Sequence, residues 1–374
     1  MIKKTLKVLT LVFIIVGFYS AFTYFNGLDF KRESPLVACW SIQLTDPETG
    51  EAIVGVEDIF VDYQTGEVFL SAYDRRLVRR QEGAGKVNHQ GGIYVFPAKA
   101  LEGQPKNLSV RKISTFDEDV SFLPHGMGYS RRINRNKMVA INRVYDSALN
   151  PRFEVFQWNG VVLSGPGNLQ SDLVCNPNDL AVYWFGFFVT NDHAECGVER
   201  YNIGETFGPT GAVYHYTNGE FKLFAEGLLT PNGVAVLKGE RGDLLAVSLT
   251  RDETIRLYKI STGELVREIE VPGAPDNLTI DQNGDIYFTI FPNLLDYYFY
   301  ISEKMTVKKS PTGVFRISAK SKWHTIDMLF HDDGDIISGA TVAQRVGDFL
   351  IMGSGWDDNI AICSGMNEFK NDQL

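Results

Sequence analysis

The chain has 374 residues, a formal net charge of −10 and 44% hydrophobic residues, with 25 Phe, 16 Tyr and 35 Gly. An acidic balance, broken only by short basic clusters (Arg75-Arg76, Arg79-Arg80, and Arg131-Arg132 with Arg135 and Lys137), argues against nucleic-acid binding. Length alone suggests two or three domains, but β and repeat architectures routinely exceed that prior, and abundant glycine suits many tight turns.

The N-terminus reads as a separate object. Lys3, Lys4 and Lys7 precede an apolar run from Val8 to Phe25 that contains no charge. Eighteen residues lies near the lower limit of the ~17–25 needed to span a bilayer. A cleaved signal peptide has a shorter apolar core and a small-x-small site, and Tyr19-Ser20-Ala21 makes a poor one. Residues 1–26 are therefore expected to form an uncleaved hydrophobic signal-anchor helix, with a cleaved signal peptide as the alternative. Lysines on its N-terminal side place the rest of the chain outside the cytosol, membrane-anchored or secreted.

From residue 35 to 366 strand signals are dense and helix signals sparse. The runs Gly66–Ser71, Gly92–Phe96, Lys137–Ile141, Phe187–Thr190 and Ala212–Tyr216 alternate or are rich in β-formers. Asp243–Val247, Ile255–Ile260, Asp285–Thr289, Gly313–Ile317 and Asp348–Met352 continue the series. Turn signals such as Gln64-Thr-Gly66, Thr217-Asn-Gly219 and Gln282-Asn-Gly284 separate them. Residues 193–210 break the rhythm as a polar loop over the channel. Residues 291–309 carry an aromatic cluster, read as an outer strand and hairpin, or else as an aromatic lid or a patch on a membrane surface.

Acidic or amide openings recur before strand-like runs: Glu57-Asp58, Asn178-Asp179, Asn232-Gly233 and Asp276-Asn277, with Pro124-His125-Gly126-Met127 in the longest gap. Successive spacings of 68, 53, 54 and 44 residues fit four-stranded blades. A last opening is expected at Asp333-Gly-Asp335-Ile-Ile-Ser, for six blades of about 56 residues. The fold class is then all-β, a six-bladed β-propeller. Innermost strands begin around one axis, so Glu, Asp and Asn oxygens distant in sequence can converge there, and Ca²⁺ takes about six to eight such ligands. Of the four cysteines, Cys39 and Cys363 would join the first and last blades. Cys175 and Cys196 sit symmetrically about a hairpin turn at Trp184-Phe185-Gly186. Four buried thiols is the alternative.

At these same residues the chain resembles the paraoxonase and arylesterase family of calcium-dependent lactonases. The segments are Gly55-Val-Glu-Asp58, Leu123-Pro-His-Gly-Met127, Pro177-Asn-Asp-Leu180 with Val189-Thr-Asn-Asp-His193, Ala225-Glu-Gly followed by Pro231-Asn-Gly-Val234, and Pro275-Asp-Asn-Leu-Thr-Ile-Asp281. The resemblance implies two calcium ions in a central tunnel. It assigns Glu57, Asn178, Asn232, Asp276 and Asn277 to a catalytic ion. Asp58, Asp179 and the main-chain carbonyl of Met127 go to a structural one. The residues alone select these side chains without dividing them between two ions. His125 is the candidate general base, with Glu57 as the alternative. His193 reads as structural, and His89, His215, His324 and His331 as surface or blade residues.

Two departures stand out. Asn142-Arg143 replaces the family's Asn-His segment, and Phe291-Pro-Asn293 replaces His-Pro-Asn. The implied function is calcium-dependent hydrolysis of lactones or aryl esters, with a small-molecule substrate. The alternatives are a non-catalytic, calcium-stabilised binding or assembly propeller, and a strictosidine-synthase-like or sugar-lactonase relative. Asn107-Leu-Ser109 and Asn277-Leu-Thr279 are glycosylation sequons.

Overall fold

Five antiparallel four-stranded sheets and one mixed six-stranded sheet follow one another along the chain in the computed structural model. It describes residues 34–36, 38–83, 89–117, 120–131, 136–144, 151–194, 208–239, 242–302 and 307–369. The innermost strands are Val56–Asp62, Pro124–Ser130, Pro177–Tyr183, Pro231–Leu237, Ala274–Ile280 and Val342–Val346. Each contacts the next, and the sixth contacts the first, so the sheets close into a six-bladed propeller. All ten strand runs expected from alternation are strands. Hydrophobic clusters fill the wedges between blades: Ile59, Val61 and Leu70 of the first pack against Val342, Ile351 and Ile362 of the last.

Both ends of the propeller build its sixth blade. Val342–Val346, Phe349–Gly353 and Ile360–Ser364 come from the C-terminal side, and Cys39–Thr45 adds the next strand from the N-terminal side. Cys39 lies directly opposite Cys363 in that pairing, and a disulfide joins them across 324 residues of sequence. Cys175 is also disulfide-bonded; its expected partner, Cys196, lies outside the described residues. The hairpin flanking Cys175 turns through Trp184-Phe185, with Tyr183 paired to Gly186.

Four expectations need correction or fall outside view. The sixth inner strand is not Asp333–Ser338 but Val342–Val346. In the expected segment one Asp332 oxygen accepts the main-chain N–H groups of Gly334, Ile336 and Ile337, which withdraws them from any ladder. Among the described residues of 291–309 there is no hairpin. Leu294–Ser302 is a helix, labelled α2 below, started by Asn293, whose side-chain oxygen accepts from the N–H groups of Leu295 and Asp296. The sequence reading also missed helix α1, Arg75–Gly83, where Asp74 accepts from the Leu77 N–H in the same way. Residues 1–33 and 195–207 lie outside the described residues, and with them the expected anchor helix and most of the expected channel loop. Among the described residues no helix is long and apolar enough to cross a membrane.

Candidate active site

One local irregularity, repeated five times, builds the site. In each of the first five inner strands the pairing register breaks at the start: Val56/Asp58, Pro124/Met127, Pro177/Leu180, Pro231/Val234 and Pro275/Leu278. A β-bulge releases residues from the ladder and re-aims their side chains. Glu57-Asp58, His125-Gly126, Asn178-Asp179, Asn232-Gly233 and Asp276-Asn277 thus hold equivalent positions in successive blades, and every side chain among them is buried. The second members alternate a polar side chain with glycine. A Cβ at Gly126 would sit 2.6 Å from the Asp179 Cα and Oδ1, and one at Gly233 would sit 2.7 Å from the Asn277 Cα. Glycine lets the neighbouring blade's side chain lie against the backbone.

These pairs make two layers. In the inner layer the Asp58 carboxylate accepts from the N–H groups of Ile59 (2.7 Å) and Met127 (2.8 Å). Asp179 repeats this with Leu180 (2.7 Å) and Val234 (2.8 Å). Each carboxylate therefore ties its own blade to the next. Both line a cavity of about 290 Å³ that continues along the axis past Tyr63, Asp281 and Gln344. Burial pushes the Asp58 carboxyl up to about 7. It also drives Asp179 well above the carboxylate range, with the nearby Asp58 adding to the effect.

The outer layer gathers Glu57, His125, Asn178, Asn232, Asp276 and Asn277. Glu57 Oε1 lies 3.2 Å from His125 Nδ1, and Oε2 lies 2.9 Å from Arg75 Nη2. Arg143 Nη1 donates to His125 Nε2 at 2.5 Å, so the imidazole is neutral with its proton on Nδ1, facing Glu57. Arg143 Nη2 is 3.6 Å from Asp192 Oδ2. Burial raises the Glu57 carboxyl, against the pull of Arg75 and Arg143. It raises Asp276 strongly too, with the Glu57 charge second.

The three amides are turned alike. Asn178 Nδ2 donates to Asp192 at 3.4 Å, Asn277 Nδ2 donates to the main-chain oxygen of Glu57 at 3.0 Å, and Asn232 bonds the Asp276 carboxylate. Their nitrogens are committed, and all three Oδ1 atoms are buried without a hydrogen-bond partner. An unsatisfied buried acceptor costs about 1–3 kcal/mol, so three such oxygens at neighbouring blade openings are suited to an electrophilic partner. Among the described residues no three His, Cys, Asp or Glu side chains form a metal-binding group. The oxygens that converge here are two carboxylates and three neutral amides. That donor set fits a hard cation such as Ca²⁺ and not a thiolate- or imidazole-preferring metal.

Several site residues escaped the sequence reading. Second-strand hydroxyls lock three of the five bulges from the neighbouring blade. Ser71 donates to the His125 carbonyl (2.7 Å), Thr190 to that of Asn232 (2.5 Å) and Ser248 to that of Asp276 (2.7 Å). Thr341, just before the sixth inner strand, donates to the Glu57 carbonyl at 3.1 Å. Helices α1 and α2 close over the mouth. Arg75 enters from α1, and Arg79 lies 4.5 Å over the Trp356 ring while donating to the Ile301 carbonyl of α2. Tyr297 of α2 stacks on Phe291 at 3.7 Å and is half-buried near Asp276 and Glu57. His193 supplies its carbonyl to Asn191 and Asn176. His89, His215, His324 and His331 bond or stack elsewhere in the blades.

A closed six-bladed propeller with an oxygen-rich axial cage under two short helices defines the class of protein. The chain belongs to the arylesterase family, which it matches over residues 84–362. A luciferin-regenerating enzyme has a similar fold, with 13% identity, a TM-score of 0.51, and coverage of 87% of this chain and 96% of that one. A protein described as a gluconolactonase aligns at 15% identity and a TM-score of 0.49, covering 87% and 92%. No individual curated protein matches the sequence.

Proposed function

We propose that this chain is a calcium-dependent hydrolase of lactones or aryl esters acting at the mouth of its axial tunnel. The observation that carries the reading is the set of three partnerless amide oxygens, on Asn178, Asn232 and Asn277, beside buried Glu57 and Asp276. Those five residues would hold one ion, and Asp58, Asp179 and the Met127 carbonyl a second. The outer ion, when bound, supplies polarisation of an ester carbonyl and stabilisation of the oxyanion that develops on it.

The chain's own residues do the rest. Phe291, Tyr297 and helix α2 exclude water above the cage and leave an aromatic surface for the ring or leaving group. His125 can take a proton from water only at Nε2, the atom that Arg143 now occupies. Arg143 must therefore yield that lone pair, or Glu57 must act as the base in its place. Asp192, 3.6 Å from Arg143, is the acceptor toward which the guanidinium can move. We further propose that the propeller faces an extracytosolic compartment, which the Cys39–Cys363 disulfide supports.

The test is a panel of phenyl acetate and γ- and δ-lactones. It is run on the chain lacking residues 1–26, with added calcium and after chelation. Turnover should appear with calcium, vanish on chelation and return on adding the ion back. No turnover of any panel member with calcium, from a folded protein, would leave the non-catalytic binding propeller as the reading.

A further inference from the structure

Arg75 lies inside the site with two of its three guanidinium nitrogens unaccepted. Its side chain is 9% exposed, yet Nε and Nη2 make no hydrogen bond of acceptable geometry. The 2.9 Å approach of Nη2 to Glu57 pairs charges without satisfying the donor. Gly355 lets the chain pass close to this edge, since a Cβ there would lie 2.7 Å from Arg75 Nε and 2.1 Å from Glu57 Oε2. The guanidinium is steadied from behind by the Tyr73 ring, 4.6 Å from its centre. A buried planar donor whose Nε and Nη2 go unaccepted is suited to receive an oxygen pair.

Charge points the same way. Arg143 reaches the Glu57–His125 pair from the other side, close enough that the two guanidinium groups repel. Glu57, Asp276 and Asp192 are the anions that face them. Glu57 and Asp276 also belong to the candidate cation cage. Once those carboxylates turn to a cation, Arg75 has no counter-charge left in contact. A neutral ester supplies none, whereas a substrate carrying its own carboxylate does.

We propose that Arg75, with Arg143 beside it, binds an anionic group on the substrate, so that the site prefers lactones or esters bearing a carboxylate near the scissile carbonyl. This rests on the hydrolase reading above and narrows its substrate class.

The experiment compares two lactones of one ring size, carrying a carboxylate or a carboxamide at the same position. Wild type should favour the carboxylate. Arg75→Met should lower the carboxylate-to-carboxamide ratio of kcat/KM at least ~30-fold, mostly through KM, as expected for truncating one partner of a buried charge pair. Arg75→Lys, which keeps the charge and loses the planar fork, should fall between them and serves if the methionine variant does not fold. A second readout needs no turnover: calorimetric titration of tetrahydrofuran-2-carboxylate, a ring carboxylate without a scissile bond. Binding by wild type and its loss in Arg75→Met or Arg75→Lys supports the site. A ratio unchanged in a folded Arg75 variant, or a wild type that favours the carboxamide, overturns the proposal. If neither lactone is turned over, the hydrolase reading fails, and the calorimetry still decides whether Arg75 binds anions.

Discussion

Removing divalent cations should make the fold sensitive to pH in a direction opposite to ordinary acid denaturation. Burial raises the carboxyls of Glu57, Asp58, Asp179 and Asp276 in the metal-free tunnel. A group whose folded pKa lies above its unfolded value contributes stability below the unfolded pKa, and that contribution is lost as pH rises through the folded value. For Asp58 the window runs from 3.8 up to about 7. At about 1.36 kcal/mol per unit, Asp58 alone should take roughly 2 kcal/mol from the stripped protein between pH 5 and pH 7. The other three carboxyls act in the same direction. A bound calcium ion would supply counter-charge, and about 1 mM ion at a micromolar site would add about 4 kcal/mol. The gap between loaded and stripped protein should therefore widen from pH 5 to pH 7. Urea unfolding of resin-stripped protein, with and without calcium at each pH, measures it. Equal stability of the stripped protein at both values, or a gap that does not grow, would refute the placement of four bare carboxyls around a cation site.

The two layers should separate by mutation. Asp179→Ala strips the acceptor from two buried N–H groups, at about 1–3 kcal/mol each, and should lower the melting temperature well below that of Asp276→Ala, which should fold and lose turnover. Equal melting temperatures would remove the division. Replacing Cys39 and Cys363 by Ser opens a 324-residue loop, for which the chain-entropy relation gives an upper bound of about 6 kcal/mol. A loss under ~1 kcal/mol in urea would show that strand pairing alone closes the ring. Mass spectrometry should find no glycan on Asn277, 1% exposed with its amide bonded to Glu57, while exposed Asn107 is the acceptor in a glycosylating host. His125→Gln should cut turnover at least ~10²-fold if imidazole is the base, and an unchanged rate would shift that role to Glu57.

What the sequence revealed, and what it hid, divides along one physical line. The bulge residues were legible because each blade restates an acidic or amide pair, or His125-Gly126, ahead of a β-rich run. The sixth blade was misplaced because it carries no such pair: its inner strand follows Thr341 and pairs without a register break. Asp333-Gly334 offered a stronger turn signal, and Asp332 makes that signal true locally. Arg75 was hidden among four arginines of one short segment, which entered the sequence reading only as short basic clusters, and only the packing of α1 over the mouth turns one of them inward. The hydroxyls of Ser71, Thr190 and Ser248 carry no local mark, because each has its acceptor in the following blade.

The same local device explains why one axis can present two different chemical layers. A bulge exposes two consecutive residues, so a blade can deliver one side chain to the mouth and another deeper. In the deeper layer Asp58, Gly126, Asp179 and Gly233 alternate bulk with glycine, and both aspartates spend their oxygens on main-chain N–H groups of two blades. That layer is committed to holding the ring together. The outer layer is arranged the other way: its amide nitrogens are spent on neighbours and its amide oxygens are left open. Structural demand is thereby met one residue deeper than chemical demand. Arg143 and Arg75 can then alter the charge at the mouth without loosening the bonds that keep the blades in register.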